Sequence, residues 1–155
     1  MLQKVSQKKL AARGRGFAIV ASKYNSRFVD AMLRAAKAEI LRAGGTVTIV
    51  RVPGAYEIPV VAATLARTKN YSAILCFGVI LRGATTHAQH IGEAVSNALA
   101  QIQVTHETPV IHEVLLLENE QQARERCLGK EHNRGTEAAQ TAIAMARVMA
   151  EIAER

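Results

Sequence analysis

Ser72-Ala-Ile-Leu-Cys-Phe-Gly-Val79 is the most apolar run of the chain, with little polarity on either side. A run of this length without alternation suits a strand covered on both faces, as at the centre of a parallel sheet. Its surroundings agree. Upstream, Phe17-Ala-Ile-Val-Ala-Ser22 and Thr46-Val-Thr-Ile-Val-Arg-Val52 are short runs of strand formers, and downstream Pro109-Val-Ile-His-Glu-Val-Leu-Leu-Leu117 is a fourth. Helical periodicity fills the intervals. Val29, Leu33, Ala36 and Ile40 recur at helical spacing after Ser26, and Gly44-Gly45 ends that helix. Pro53-Gly54 breaks the second strand, and a helix is expected over Ile58 to Arg67. A third is expected over Thr86 to Val104, a short polar one over Glu118 to Arg126, and a last over Thr136 to Glu154. That last helix carries Ala138, Ala142, Met145, Met149 and Ile152 along one face.

The order β-α-β-α-β-α-β-α-α predicts an α/β domain of three layers with a four-stranded parallel sheet. Parallel neighbours need crossovers, and crossovers in one sheet are right-handed. Ligands of such sheets sit beyond the carboxyl ends of the strands. The loops after Ser22, Val52, Val79 and Leu117 are therefore where chemistry is expected.

The chain has 155 residues, which fits one domain with a core of its own. Hydrophobic residues make up 49% and there are only 3 prolines, which argues against global disorder. The formal charge of +7 is uneven. Lys4, Lys8, Lys9, Arg13 and Arg15 stand in the first 15 residues with no acid among them, so residues 1–15 read as a basic arm and 16–155 as the domain. The arm is either a polyanion-binding element or a solvated tail. It has no aromatic residue to stack on bases, so nucleic acid is not expected as a partner. No apolar run approaches the roughly 18 residues of a membrane span, and the N-terminus lacks a signal-peptide core. Cys76 and Cys127 form neither a disulfide framework nor a zinc motif. A cytoplasmic setting is expected.

Each strand-end loop carries a group with two readings. Tyr24 can stack on a planar ring or simply cover the sheet edge. Glu57, in the rigid Pro53-Gly-Ala-Tyr-Glu-Ile-Pro59 loop, can cap a helix or accept hydrogen bonds from ligand hydroxyls. Gly83 to Thr86 offer free N–H groups at a helix start, a ready anion site, though the threonines can equally be caps. His87 follows, and imidazole is the natural proton-transfer group near neutral pH. His87 and His90 are three apart and could share a metal, but no HExxH or Cys/His cluster completes a set, so no metal is expected. Arg124 and Arg126 can bind phosphate or pair along their helix, and His112 inside its strand reads as a core or interface residue. No G-x-G-x-x-G or Walker loop is present.

The blocks Lys23-Tyr-Asn25, Val52-Pro-Gly-Ala-Tyr-Glu-Ile-Pro59, Gly78-Val-Ile-Leu-Arg-Gly-Ala-Thr-Thr-His87, Pro109-Val-Ile111 and Glu120-Gln-Gln-Ala-Arg-Glu-Arg126, with Asn133-Arg-Gly135 and Glu137-Ala-Ala139 after them, resemble the lumazine synthase family from about Phe17 onward. The resemblance implies a flavodoxin-like domain assembled as a pentamer, often as a shell of twelve pentamers. It implies condensation of 5-amino-6-ribitylamino-uracil with 3,4-dihydroxy-2-butanone 4-phosphate to 6,7-dimethyl-8-ribityllumazine, without cofactor or metal, in a site between two subunits. Riboflavin synthase is then a candidate partner. A non-catalytic flavin- or lumazine-binding shell protein is the alternative within the family. Carried onto this chain, Tyr24 stacks on the pyrimidine ring, and Ala55, Tyr56 and Glu57 hold the ribityl chain. Val79, Ile80 and Leu81 line the ring pocket. Ala84 and Thr85 bind phosphate, and His87 transfers protons. Arg126 from the adjacent subunit binds phosphate, with Arg134 near the same anion where the family often has lysine. His112 takes the place of a family Phe that closes the pocket, and His132 that of a usual glycine. The segment Cys127 to Asn133 has no extra residues, which favours the large shell.

Overall fold

A computed structural model describes residues 16–155, and the basic arm lies outside the described residues. Four strands, β1 (Gly16–Ser22), β2 (Val47–Val52), β3 (Tyr71–Leu81) and β4 (Val110–Leu117), form one sheet in the order β2-β1-β3-β4. Every pairing is parallel. Five helices connect or follow them: α1 (Ser26–Arg42), α2 (Ile58–Thr68), α3 (His87–His106), α4 (Glu120–Cys127) and α5 (Arg134–Ala153). A 3-10 turn, Ala55–Glu57, leads into α2.

Alternation along the central strand β1 divides the core. Phe17, Ile19 and Ala21 face Val29, Met32 and Ala36 of α1 and Ala138 and Ala142 of α5. Ala18 and Val20 face Ile58 and Ala62 of α2 and Val95 and Leu99 of α3. The result is the three-layer, flavodoxin-like arrangement expected from the sequence. β3 is fully buried from Ala73 to Phe77, as its apolar run demands. Within the layer of α1 and α5 the packing depends on one close approach. A Cβ added at Gly135 would stand 2.0 Å from the Met32 carbonyl oxygen, so α5 touches α1 backbone to backbone at its first turn.

Element ends depart from the sequence reading where polar caps decide them. β3 extends to Leu81, so Ile80 and Leu81 are strand residues. α4 starts at Glu120 instead of Glu118, because the Asn119 side chain accepts from Gln122 N–H. α5 starts at Arg134 instead of Thr136, because Asn133 Oδ1 accepts from the N–H groups of Gly135 (2.8 Å) and Thr136 (3.3 Å). His112 is not a core residue of this chain: it is exposed on β4, the edge strand. Among the described residues no helix is long and apolar enough to cross a membrane.

Candidate active site

From β1 the chain moves to one side of the sheet to make β2, then crosses back to make β3 on the other. The crevice at the carboxyl ends of β1 and β3 is the switch point where such sheets bind ligands. A cavity of about 820 Å³ lies there. It is lined by Tyr24 and Asn25 after β1, Gly54 to Glu57 after β2, Val79, Ile80 and Leu81 of β3, and one stripe of α3. That volume suits a small-molecule site.

The loops are tied together by backbone. Lys23 N–H donates to the Val52 carbonyl (2.8 Å), and Tyr24 N–H to the Pro53 carbonyl (3.1 Å). Asn25 adopts the left-handed conformation (φ 56°), and its Nδ2 donates to the Val79 carbonyl at 2.6 Å. A short amide side chain tolerates that conformation better than most. Its bond joins the first loop to the end of β3. Nothing in the sequence around Asn25 signals this role, since the bond spans 54 residues.

Gly54 lets the second loop close. A Cβ there would meet Tyr24 Cδ2 at 2.9 Å and Glu57 Oε2 at 3.0 Å. Glu57 Oε2 accepts from Gly54 N–H at 3.1 Å, which fixes the carboxylate in the 3-10 turn. Both readings of Glu57 are therefore compatible: one oxygen caps the turn while the side chain lines the cavity. The rings of Tyr24 and Tyr56 are largely exposed, at 70% and 65%. Aromatic faces left open at a cavity mouth are available for a planar ligand.

The turn from β3 to α3 is held by Arg82, which bridges Glu118 (3.2 Å) and Gln89 (3.1 Å). Ala84 and Thr85 lie exposed in this turn, beside the cavity in the chain but not lining it. Thr85 Oγ1 accepts from His87 N–H at 3.4 Å, a long bond, and among the described residues the N–H groups of Gly83, Ala84 and Thr85 have no partner. His87, His90, Ile91 and Ala94 then face the cavity at the i, i+3, i+4, i+7 spacing of one helical face. Among the described residues no three His, Cys, Asp or Glu side chains converge as a metal site would require.

The other sequence-selected residues lie elsewhere. His112, on the α3 side of β4, contacts Ser96 Oγ through Nε2 at 2.7 Å, and its Nδ1 accepts from Val114 N–H at 3.1 Å. An accepting Nδ1 puts the proton of the neutral ring on Nε2, which then donates to Ser96. Although the residue as a whole is exposed, desolvation of the ring lowers the pKa of this imidazole, with a hydrogen bond to its own backbone acting the other way. Arg126 and Arg134 are half-buried around Cys127, whose thiol is pushed up to about 11 by burial, with Glu113 adding to the rise and both arginines opposing it. Arg134 pairs with Glu137 at 3.4 Å. Arg124 pairs with Glu120 at 3.6 Å, the i,i+4 alternative seen in the sequence. Within one chain the cavity and these two arginines form separate groups.

Comparison with known proteins bears on this arrangement. The family model described as 6,7-dimethyl-8-ribityllumazine synthase matches residues 14–150. A protein of that name from Aquifex aeolicus (strain VF5) is 43% identical over 141 residues, 89% of this chain and 92% of the relative. Another of that name, from Desulfotalea psychrophila (strain LSv54 / DSM 12343), is 40% identical over 143 residues, 90% of this chain and 92% of the relative. With a parallel α/β sheet, a cavity at its switch point and this likeness over nearly the whole length, the chain belongs to the 6,7-dimethyl-8-ribityllumazine synthase family.

Proposed function

We propose that this chain is a transferase of riboflavin biosynthesis. It condenses 5-amino-6-ribitylamino-uracil with 3,4-dihydroxy-2-butanone 4-phosphate to 6,7-dimethyl-8-ribityllumazine, releasing phosphate and water. The observation that carries the reading is the cavity in which an aromatic ring (Tyr24), a carboxylate (Glu57) and an imidazole (His87) converge in a chain of this family.

The residues divide the work. Tyr24 stacks on the pyrimidine, and Val79, Ile80 and Leu81 give its ring an apolar wall. Glu57 accepts from the ribityl hydroxyls beside Ala55 and Tyr56. Ala84 and Thr85 receive the phosphate at the open turn. The amine attacks the ketone, the carbinolamine loses water, phosphate is eliminated and the ring closes. Each step moves protons, which His87 serves. Holding two substrates in register supplies the larger part of the acceleration.

The site is completed by a neighbouring copy. Support comes from Arg126 and Arg134, which lie apart from the cavity of their own chain while a phosphate substrate calls for a cation. The assembly is a pentamer, and twelve pentamers make a shell. His112 closes the pocket over the heterocycle. The enzyme works in the cytoplasm, in keeping with two buried free thiols, Cys76 and Cys127, and passes its product to riboflavin synthase. Mixing the protein with both substrates and following lumazine absorbance tests the reading. Product formation no faster than the uncatalysed mixture overturns it.

A further inference from the structure

We infer that His90 is a second catalytic proton-transfer residue of this cavity, acting beside His87; the inference rests on the condensation proposed above. His90 lies one turn along α3 from His87, and both line the cavity. The i, i+3 spacing puts the two rings side by side on one helical face. Thr86 Oγ1 lies 3.3 Å from His90 Nε2, which orients the ring. Its Nδ1 has no protein partner among the described residues, so one nitrogen is held and the other is free for a ligand. Apart from the two histidines, the titratable groups lining the cavity are Tyr24, Tyr56 and Glu57. A phenol is a poorer proton donor than an imidazolium, and Glu57 already spends an oxygen on Gly54 N–H. His90 is thus the lining residue best suited to share proton transfer with His87.

The reaction has work for two such groups. When the C–N bond forms, the amine gives up a proton and the carbonyl oxygen gains one. When the carbinolamine C–O bond breaks, the hydroxyl leaves as water and takes a proton. Next a proton must leave the carbon beside the imine. Its C–H electron pair forms a C=C bond as the C–O bond to phosphate breaks, and phosphate departs with that bond's pair. The enol then regains a proton at its terminal carbon to become a methyl ketone. The second amine attacks that ketone, and a second water is lost. Donation and acceptance alternate at neighbouring carbons of one four-carbon unit. One imidazole cannot take the amine's proton and supply the oxygen's proton in the same step. Two imidazoles a turn apart can divide the donating and accepting steps.

Steady-state kinetics of the assembled protein test this with His90→Gln, which keeps a polar reach toward Thr86 but cannot exchange protons at neutral pH. The expected result is a fall in kcat of about tenfold with both KM values within about twofold of the parent. His90→Ala should fall similarly and recover part of its kcat in added imidazole. Full kcat in the glutamine variant overturns the inference, and so does an alanine variant that loses kcat and gains nothing from imidazole. A parent protein without turnover defeats the condensation itself. An active parent with an undiminished glutamine variant defeats only the role of His90.

Discussion

Glu113 is a carboxyl only 7% exposed, on the edge strand. Burial raises its pKa from 4.5 to about 7; Arg134 opposes the rise and Glu137 adds to it. Cys127 is the other titratable group coupled to it. The folded state therefore holds this proton more tightly than the unfolded chain. Stability contributed here is fully present below pH 4.5, declines up to about 7, and is flat above. The whole effect is on the order of 3 kcal/mol. Urea melts of the parent and Glu113→Gln should differ by roughly 2 kcal/mol more at pH 8 than at pH 5, with the variant gaining. A constant difference would mean the carboxyl is ionised throughout. At the cavity, His87→Ala should lower kcat about tenfold or more while the thermal midpoint stays put, because its imidazole is exposed and packs no core. Lumazine absorbance and a melt on the same sample check both halves.

At the scale of elements, α5 is the informative one. Its apolar stripe begins at Ala138, yet the helix begins at Arg134 because Asn133 supplies the cap. Periodicity therefore marks where a helix packs, while the start depends on one side chain folding back. The same cause misplaced the start of α4. Strands were easier to read, since β1, β3 and β4 are each short runs rich in strand formers and bounded by turn residues. The cavity wall was legible for a related reason: parallel topology gathers strand ends on one edge, so Tyr24, Glu57 and His87 had to be neighbours. Asn25 was not legible, because its role needs a left-handed backbone and a carbonyl from another strand. Nor does spacing along one chain say which residues meet across copies, as Arg126 and Arg134 are proposed to do. Gly135→Ala should force α5 away from Met32 and cost about 3 kcal/mol, a drop of roughly 10 °C in Tm. An unchanged melt would show that the two helices can slide apart freely.

For the whole molecule, the separation of cavity from arginines sets a testable rule of composition. In the shared site proposed above, His87→Ala and Arg126→Ala would damage opposite halves. When the two variants are dissociated, mixed equally and reassembled, about a quarter of the sites should combine two intact halves. Recovered turnover near that fraction is expected from the mixture, against little from either variant alone. A mixture no better than the average of its parts would mean that each chain carries a complete site. Light scattering on an eluting peak should give the mass of sixty copies rather than five.

The contact between Gly54 and Tyr24 also has a genetic meaning. Every missense change at this codon adds at least a Cβ, and the ring it meets has open space to swing into. Such alleles therefore leave the fold standing while displacing the aromatic wall. A selection for lost activity should recover them beside alleles of His87, although glycine has no side chain to donate, accept or stack. Silent changes are the tolerated class at that codon.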